Sequence, residues 1–447
     1  MNPEEPDLLR RLATEAVRRL QDAGHVAYWA GGCVRDLLLG KTPKDYDIAT
    51  DASPETVMAL FPDAIAVGKS FGVVRAPVQG TFFEIATFRK DHAYLDGRRP
   101  TRVSFTDAAA DANRRDFTIN ALFYDPAAGA VLDFVNGRRD LEARLIRCVG
   151  EPAGRFSEDY LRMLRAVRFS GRLGFEIEAA TAAAIRALAP RVAAISPERV
   201  REELTRTLVE SRRPGDALRL MDGLDLLAPL IPEVAALKHQ PQPPEFHPEG
   251  DVFTHTLLML NLMRNPTPRL AFAVLLHDVG KPATARHDGE RLRFDGHDSE
   301  GAIQAMRIMT RLRFSNDDIA AVTHCVRNHM RFLDVPRMKR STLRRLVGLP
   351  TFPLELELHR LDCLASHGSL DNHDFLVAFQ RELAAEPVLP EPWLTGRDIM
   401  GLGIPEGPEV GSWRRKAYDA QLDSRFPGRA ELLAWLKDEI HRARPQA

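Results

Sequence analysis

Leu8, Leu12, Ala16 and Leu20 recur four residues apart among polar neighbours, and this spacing predicts an amphipathic helix over residues 7–23. Apolar runs of strand length follow at 25–30, 46–49, 72–77 and 81–88. Between them Gly31-Gly32 makes a turn and 34–39 opens a helix. Ser53-Pro54-Glu55 supplies the N-cap and first-turn proline of another. Residues 90–100 are polar and carry Gly and Pro, which predicts a mobile loop. After Glu151 helical periodicity dominates, broken by Ser196-Pro197-Glu198 and Arg213-Pro214-Gly215. A proline-rich stretch at 239–250 and a second cluster at Pro387, Pro390 and Pro392 mark further junctions. The class is therefore α+β. A mixed sheet with helices is expected over 1–150 and an all-α segment over 151–238. A linker at 239–250, a second all-α domain at 251–386 and a C-terminal helical segment at 387–447 complete the expected order.

Length changes this picture little, since 447 residues suit about two to four domains. No apolar run approaches the roughly 20 residues of a membrane span, so no membrane association is expected. Met1-Asn2-Pro3-Glu4-Glu5 is acidic and lacks a signal-peptide layout. Cys33, Cys148, Cys325 and Cys363 are scattered, as reduced thiols of a cytoplasmic protein would be. The net charge of -1 gives no global basic field. Arginine is nonetheless locally dense at Arg98-Arg99, Arg114-Arg115, Arg138-Arg139, Arg162, Arg165, Arg168 and Arg172, which leaves room for a basic lane.

The chemistry begins at Lys44-Asp45-Tyr46-Asp47-Ile48. On a strand over 45–49, a period of two sends Asp45 and Asp47 to one face. Paired carboxylates repel unless a cation lies between them, and hard oxygen ligands suit Mg²⁺ with substrate phosphates. The preceding Gly31-Gly32-Cys33-Val34-Arg35-Asp36 places backbone N–H groups and the Arg35 fork where phosphates can lie. Glu84, inside an apolar strand, is a candidate third carboxylate near the metals or a solvent-facing edge residue. In Arg114-Arg115-Asp116-Phe117-Thr118-Ile119-Asn120, Asp116 and Asn120 would share a helix face. There they would serve ribose while the arginines serve triphosphate.

Asp159, Arg162 and Arg165 follow at i, i+3 and i+6 in Glu158-Asp159-Tyr160-Leu161-Arg162-Met163-Leu164-Arg165. An aspartate accepts from the exocyclic amine of cytosine or adenine while an arginine donates to the ring nitrogen. Guanine and uracil reverse that pattern and leave buried groups unpaired, at a cost of about 1–3 kcal/mol each. The same residues alone would also make an ordinary salt-bridged helix.

Together these four motifs resemble, in order and spacing, the bacterial class II tRNA nucleotidyltransferases, a family of CCA-adding enzymes and poly(A) polymerases, over about residues 25–230. The resemblance implies a nucleotidyltransferase head, and a helical neck and body that select nucleotides and bind RNA. It implies Mg²⁺ on Asp45 and Asp47, and a triphosphate loop of Gly31, Gly32, Arg35 and Asp36. Ribose and phosphate contacts would come from Arg115, Asp116 and Asn120, and a template for CTP and ATP from Asp159 and Arg162, with Arg165 beside them. Its flexible loop, which serves addition of the terminal A, would carry Arg98 and Arg99 and argues against CC-only addition. The implied activity is CCA addition to the tRNA 3′ end with release of pyrophosphate. A-only addition and poly(A) synthesis are alternatives.

A second constellation comprises His255, the adjacent His277-Asp278 closing an apolar run, His297, His324, His329 and Asp362. Burying such groups is costly unless a metal compensates. The pattern resembles the HD phosphohydrolase domain, with His255, His277, Asp278 and Asp362 at its ligand positions. His297 with His324 or His329 are candidates for a second ion. It implies Mn²⁺, Ni²⁺ or Mg²⁺ and a phosphomonoester or cyclic phosphate substrate. An HD phosphohydrolase with an RNA-binding head is the alternative from another class. The stretch 394–403 resembles the C-terminal region of family members that carry an HD domain.

Overall fold

The computed structural model describes residues 5–68, 72–91, 103–243, 245, 247–289 and 291–443. Arg98, Arg99 and most of the predicted loop at 90–100 lie outside the described residues. Two compact units divide the protein, Met1–Ala235 and Ala236–Ala447.

Among the described residues up to Asp133 the first unit carries nine strands: β1 (Ala27–Ala30), β2 (Asp47–Thr50), β3 (Ile65–Gly68), β4 (Val73–Val78), β5 (Thr81–Thr87), β6 (Arg89–Asp91), β7 (Val103–Phe105), β8 (Leu122–Asp125) and β9 (Ala130–Asp133). Seven of them form a mixed sheet in the order β3-β4-β5-β2-β1-β8-β9, in which only β2 and β5 run parallel. Strands β6 and β7 make a separate ribbon. The predicted strands are present within one or two residues, because the ladder, not the apolar run, sets their ends. The predicted first helix is Glu5–Asp22. Ser53 does cap the helix Pro54–Leu60, its hydroxyl accepting from the Thr56 N–H at 3.2 Å.

Alternation along each strand sorts the sheet into two faces. Trp29, Tyr46, Ile48, Val74, Ala76, Phe83 and Ile85 join Leu12, Ala13, Ala16, Val17 and Leu20 of the first helix in one core. Ala30, Ala49, Phe88, Ala112, Ala121 and Phe123 form a smaller cluster on the other side. Asp47 therefore falls on the face of Ala49, away from the first helix.

Beyond residue 150 the first unit is helical, but not wholly so. Leu145–Ile146 pairs in parallel with Glu176–Ile177, a two-residue ladder the helical periodicity conceals. The helices Leu161–Leu173 and Pro197–Glu210 are joined by the buried pair Arg168–Glu203 at 2.7 Å. Gly171 permits a close approach in this region. A Cβ there would lie 3.1 Å from the Ser211 Cβ and closer still to its hydroxyl.

The second unit departs from the all-α expectation by one hairpin, Arg286–Asp288 against Arg291–Arg293. Its C-terminal helices Gly396–Gly401, Pro408–Leu422 and Arg429–Ala443 enclose their own core around Ile399, Ala417, Leu432 and Leu436. Among the described residues no helix is long and apolar enough to cross a membrane. All four cysteines are free and buried.

Candidate functional site

In the first unit a cavity of about 910 Å³ opens over the sheet face that bears Asp47. Gly31, Gly32, Arg35, Asp36, Asp45, Asp47, Arg115, Asp116, Asn120, Asp159, Arg162 and Arg165 all line it. Ten lining residues are basic and six acidic, an excess that suits a polyanion. The sequence motifs, spread over more than a hundred residues, thus converge.

Several do so differently from the helical and strand patterns expected. Strand β2 begins at Asp47, so Asp45 comes from the loop before it rather than from the same strand. Glu84 is opposite Arg75 on β4 and neighbours Asp47 through the parallel β2–β5 register, solvent-facing rather than buried. Dehydration by the surrounding protein, then the charges of Asp45 and Glu84, push Asp47 up to about 6, while Arg115 pulls it down. The side chain still reaches water, which softens these effects. Repelling carboxylates that all offer oxygen fit a hard divalent cation.

Gly31 adopts φ +76°, and a Cβ there would come within 2.9 Å of the Arg115 guanidinium. Its N–H donates to the Leu122 carbonyl at 3.0 Å, so it is not one of the free phosphate donors expected of the turn. Arg35 is 2% exposed and spends its fork on Asp36 at 2.8 Å and the Asn120 side-chain carbonyl at 2.6 Å. It braces the pocket wall instead of projecting from it.

Asp116 and Asn120 do not share an α-helix. Asp116 precedes a 3₁₀ turn, Thr118–Asn120, and the Asn120 amide reaches back to it at 3.3 Å. Asp116 also accepts from the Phe117 N–H at 2.8 Å and from Arg165 Nε at 2.8 Å. Burial alone would raise its carboxyl, but Arg165 and these hydrogen bonds hold it below the ordinary range.

Asp159 is likewise not on the helix of Arg162 and Arg165. It has extended backbone (φ -155°, ψ 104°) between the helices Pro152–Glu158 and Leu161–Leu173. Its carboxylate takes both arms of Arg199, at 3.1 and 2.6 Å, and the Leu161 N–H at 3.1 Å. Arg162 donates to Glu158 at 2.6 Å and to the Arg155 carbonyl at 2.8 Å. Arg199 and Glu203 escaped the sequence reading because their partners lie 35 to 40 residues away, with no spacing to betray them.

A second cluster lies in the second unit. Four imidazoles each donate Nδ1–H outward: His255 to Glu249 at 2.6 Å, His277 to Val274 O at 2.8 Å, His297 to Phe294 O at 2.8 Å and His329 to Val326 O at 2.6 Å. The four Nε2 atoms consequently face inward. His255 Nε2 lies 3.2 Å from Asp362, His277 Nε2 3.2 Å from Asp278, and those of His297 and His329 3.1 Å from each other. Asp278 Oδ1 faces both of the latter at 3.6 and 3.7 Å. The Nε2 atoms of His255 and His277 are buried, with no well-formed hydrogen bond among the described residues. Ring nitrogens and carboxylates converging in this way call for positive charge: burial would lower the His255 ring, yet Asp362 and Glu249 push it up to about 9, and the donor set fits divalent metals. Burial pushes the His329 ring down to about 4, which keeps it a neutral ligand. Burial would raise Asp278, but His277 and Lys281 hold it well below the usual carboxylate range. Of the two alternatives it is His329 that joins His297; His324 sits 3.3 Å from Glu355 instead. Asp278, His297, His329 and Asp362 line a cavity of about 560 Å³, together with Lys281, Phe294, Met330 and Leu333.

The fold and these two centres mark a nucleotidyltransferase-type head with a helical extension, and an HD-type domain with a candidate metal centre. Residues 27–147 match the Poly A polymerase head domain, 174–238 the probable RNA and SrmB-binding site of polymerase A, and 252–366 the HD domain. The chain thus contains a poly(A) polymerase-type head and an HD domain, and it is similar to CCA-adding enzymes. It is 47% identical to a CCA-adding enzyme of Leuconostoc mesenteroides over 45% of its length, and 48% identical to one of Geobacillus thermodenitrificans over 43%. These matches cover 50% and 48% of those proteins, so the chain spans about half the length of the curated relatives it matches. A crystal structure of the Bacillus stearothermophilus CCA-adding enzyme in complex with CTP superposes with a TM-score of 0.75 at 29% identity, covering 99% of both proteins.

The raised Asp47 carboxyl gives a pH test. A carboxyl raised on folding is a penalty that is absent when both states are protonated and grows as pH rises through about 6. In metal-free protein, Asp47→Asn is expected to raise stability at pH 7 to 8 and to change little below the unfolded aspartate pKa of about 4. Urea unfolding in EDTA across this range checks it; parallel wild-type and variant curves would contradict the assignment.

Proposed function

We propose that the protein is a cytoplasmic template-independent tRNA nucleotidyltransferase that adds CCA, from CTP and ATP, to the tRNA 3′ end. The supporting observation is the single basic cavity that gathers Asp45 and Asp47 with Asp159 and Arg162. Asp45 and Asp47, with Glu84 alongside, would hold Mg²⁺. When bound there, Mg²⁺ would supply Lewis acidity to the α-phosphate and lower the pKa of the RNA 3′-hydroxyl.

The protein's own residues position the reactants. Arg35 and Asp36 back the triphosphate wall, and Arg115 stands between Asp47 and Asn120. Asp159 has three of its roughly four acceptor sites filled by Arg199 and Leu161 N–H. The remaining site can take the exocyclic amine of cytosine or adenine. Arg162, shared with Glu158, donates to the ring nitrogen beside that amine. Arg199 thereby fixes the plane in which Asp159 accepts.

The HD centre, on this reading, holds two divalent ions, one among His255, His277, Asp278 and Asp362 and one among Asp278, His297 and His329. It hydrolyses phosphomonoesters or cyclic phosphates at RNA ends. Lys281 is placed to receive a phosphate, and Phe294, Met330 and Leu333 offer an apolar surface for a base.

The test is extension of three tRNA transcripts, ending at the discriminator, at C and at CC, with labelled CTP, ATP, UTP or GTP and Mg²⁺. Completion of all three to CCA with UTP and GTP refused is expected. Extension of the CC-ending transcript alone would mean addition of the terminal A only, long A tails would favour poly(A) synthesis, and no extension would shift the activity to the HD centre. In the same assay Asp47→Ala is expected to abolish incorporation while unfolding cooperatively; substantial incorporation would remove Asp47 from the metal site. Arg162→Ala is expected to relax the CTP-to-UTP ratio by about 10- to 100-fold. An unchanged ratio would sink base reading by this arginine.

A further inference from the structure

Residues 239–251 lie between the spans matched by the two C-terminal families, 174–238 and 252–366, and the sequence presents them as a proline-rich linker. The structure ties this stretch into the metal cluster. The Phe253 N–H donates to Leu237 O at 3.2 Å and the Val252 N–H to Gln240 O at 3.1 Å. Asp251 caps the helix Val252–Leu262 through the Thr254 N–H at 2.8 Å and also accepts from His239 N–H at 2.8 Å. Three side chains then point inward. Gln242 accepts from the buried Lys281 ammonium at 2.6 Å. Glu249 Oε1 accepts from both His255 Nδ1 at 2.6 Å and His247 Nδ1 at 2.9 Å.

We propose that Glu249 is a positioning residue of the HD centre, the outer carboxylate that fixes the orientation and tautomer of the metal ligand His255. His277, His297 and His329 are aimed by backbone carbonyls three residues back in the chain. His255 is the exception. Its Nδ1 faces a carboxylate six residues earlier in the sequence, on a loop, so its aim depends on that loop. Glu249 must act there as acceptor and the ring as Nδ1–H donor, which leaves His255 Nε2 directed at Asp362, 3.2 Å away. The ring is 0% exposed and has no water to substitute for Glu249. Among the described residues the other, buried Glu249 oxygen meets no hydrogen-bond donor, a costly state that a positively charged centre offsets. Carboxylates that orient metal-bound imidazoles in this way raise the basicity of the ligand, and their loss weakens metal binding about 10- to 100-fold.

The inference rests on the metal reading of the HD centre, and one experiment separates the two. Untagged, EDTA-stripped full-length protein is titrated calorimetrically with NiCl₂, which imidazoles prefer and the oxygen-only head site does not. Wild type, Glu249→Gln and Gln242→Ala are compared, with the unfolding temperature of each metal-free protein. Expected are a roughly 10- to 100-fold weaker Ni²⁺ affinity in Glu249→Gln, an affinity within about twofold of wild type in Gln242→Ala, and similar unfolding temperatures. Wild-type affinity in Glu249→Gln would overturn the inference. So would equal losses in both variants, or a fall in the unfolding temperature of Glu249→Gln, since each assigns the residue to loop packing. A wild type that binds no Ni²⁺ would overturn the metal reading itself.

Discussion

The carboxylate of Asp116 is the point on which the head's cavity depends. It accepts from Arg165, from Asn120 and from the Phe117 N–H, and through them two lines of charge leave it. One runs by Arg165 to Glu203 and Arg168, in the helices Leu161–Leu173 and Pro197–Glu210. The other runs by Asn120 to Arg35, Asp36 and Arg172. The sheet that bears Asp47 and the helix that bears Arg162 are thereby held around one space. Removing one partner of such a buried pair leaves an uncompensated charge, typically at about 3–5 kcal/mol, so the network is selective about geometry as well as cohesive.

The same economy governs the second unit, with imidazole in place of guanidinium. Each ring uses one nitrogen to fix its orientation and keeps the other for the centre. Three use the carbonyl of the preceding turn, which any helix end provides. The fourth needs a carboxylate from outside its helix. A cluster of buried histidines and aspartates without that division would be a liability; with it, the rings form a ready ligand set around Asp278, which both groups of donors share.

Much of this was legible in the sequence. Helix Glu5–Asp22 follows from its apolar spacing, the Ser53 cap from Ser-Pro-Glu, and the opposed directions of Ile48 and Asp47 from strand alternation. The candidate residues of both centres were recognisable because each motif is short and local. Errors arose where a local pattern was extended as regular structure. Asp116 with Asn120, and Asp159 with Arg162, have helical spacing, yet a 3₁₀ turn and a break between helices bring them to the cavity. Side-chain hydrogen bonds to nearby backbone compete with the helix there: Asp116 takes the Phe117 N–H and Asp159 the Leu161 N–H.

What the sequence determined by itself was the order of elements, the α+β class and the identity of the chemical groups, because these depend on neighbours within a few residues. Tertiary structure alone decided which groups meet. Arg199 found Asp159 across 40 residues, His329 rather than His324 joined His297, and Glu249 brought the linker to the His255 ring. Pairings of this kind are fixed by packing and by the cost of leaving a buried charge or ring nitrogen unmatched. That cost is set by the completed fold, and no spacing between residues encodes it.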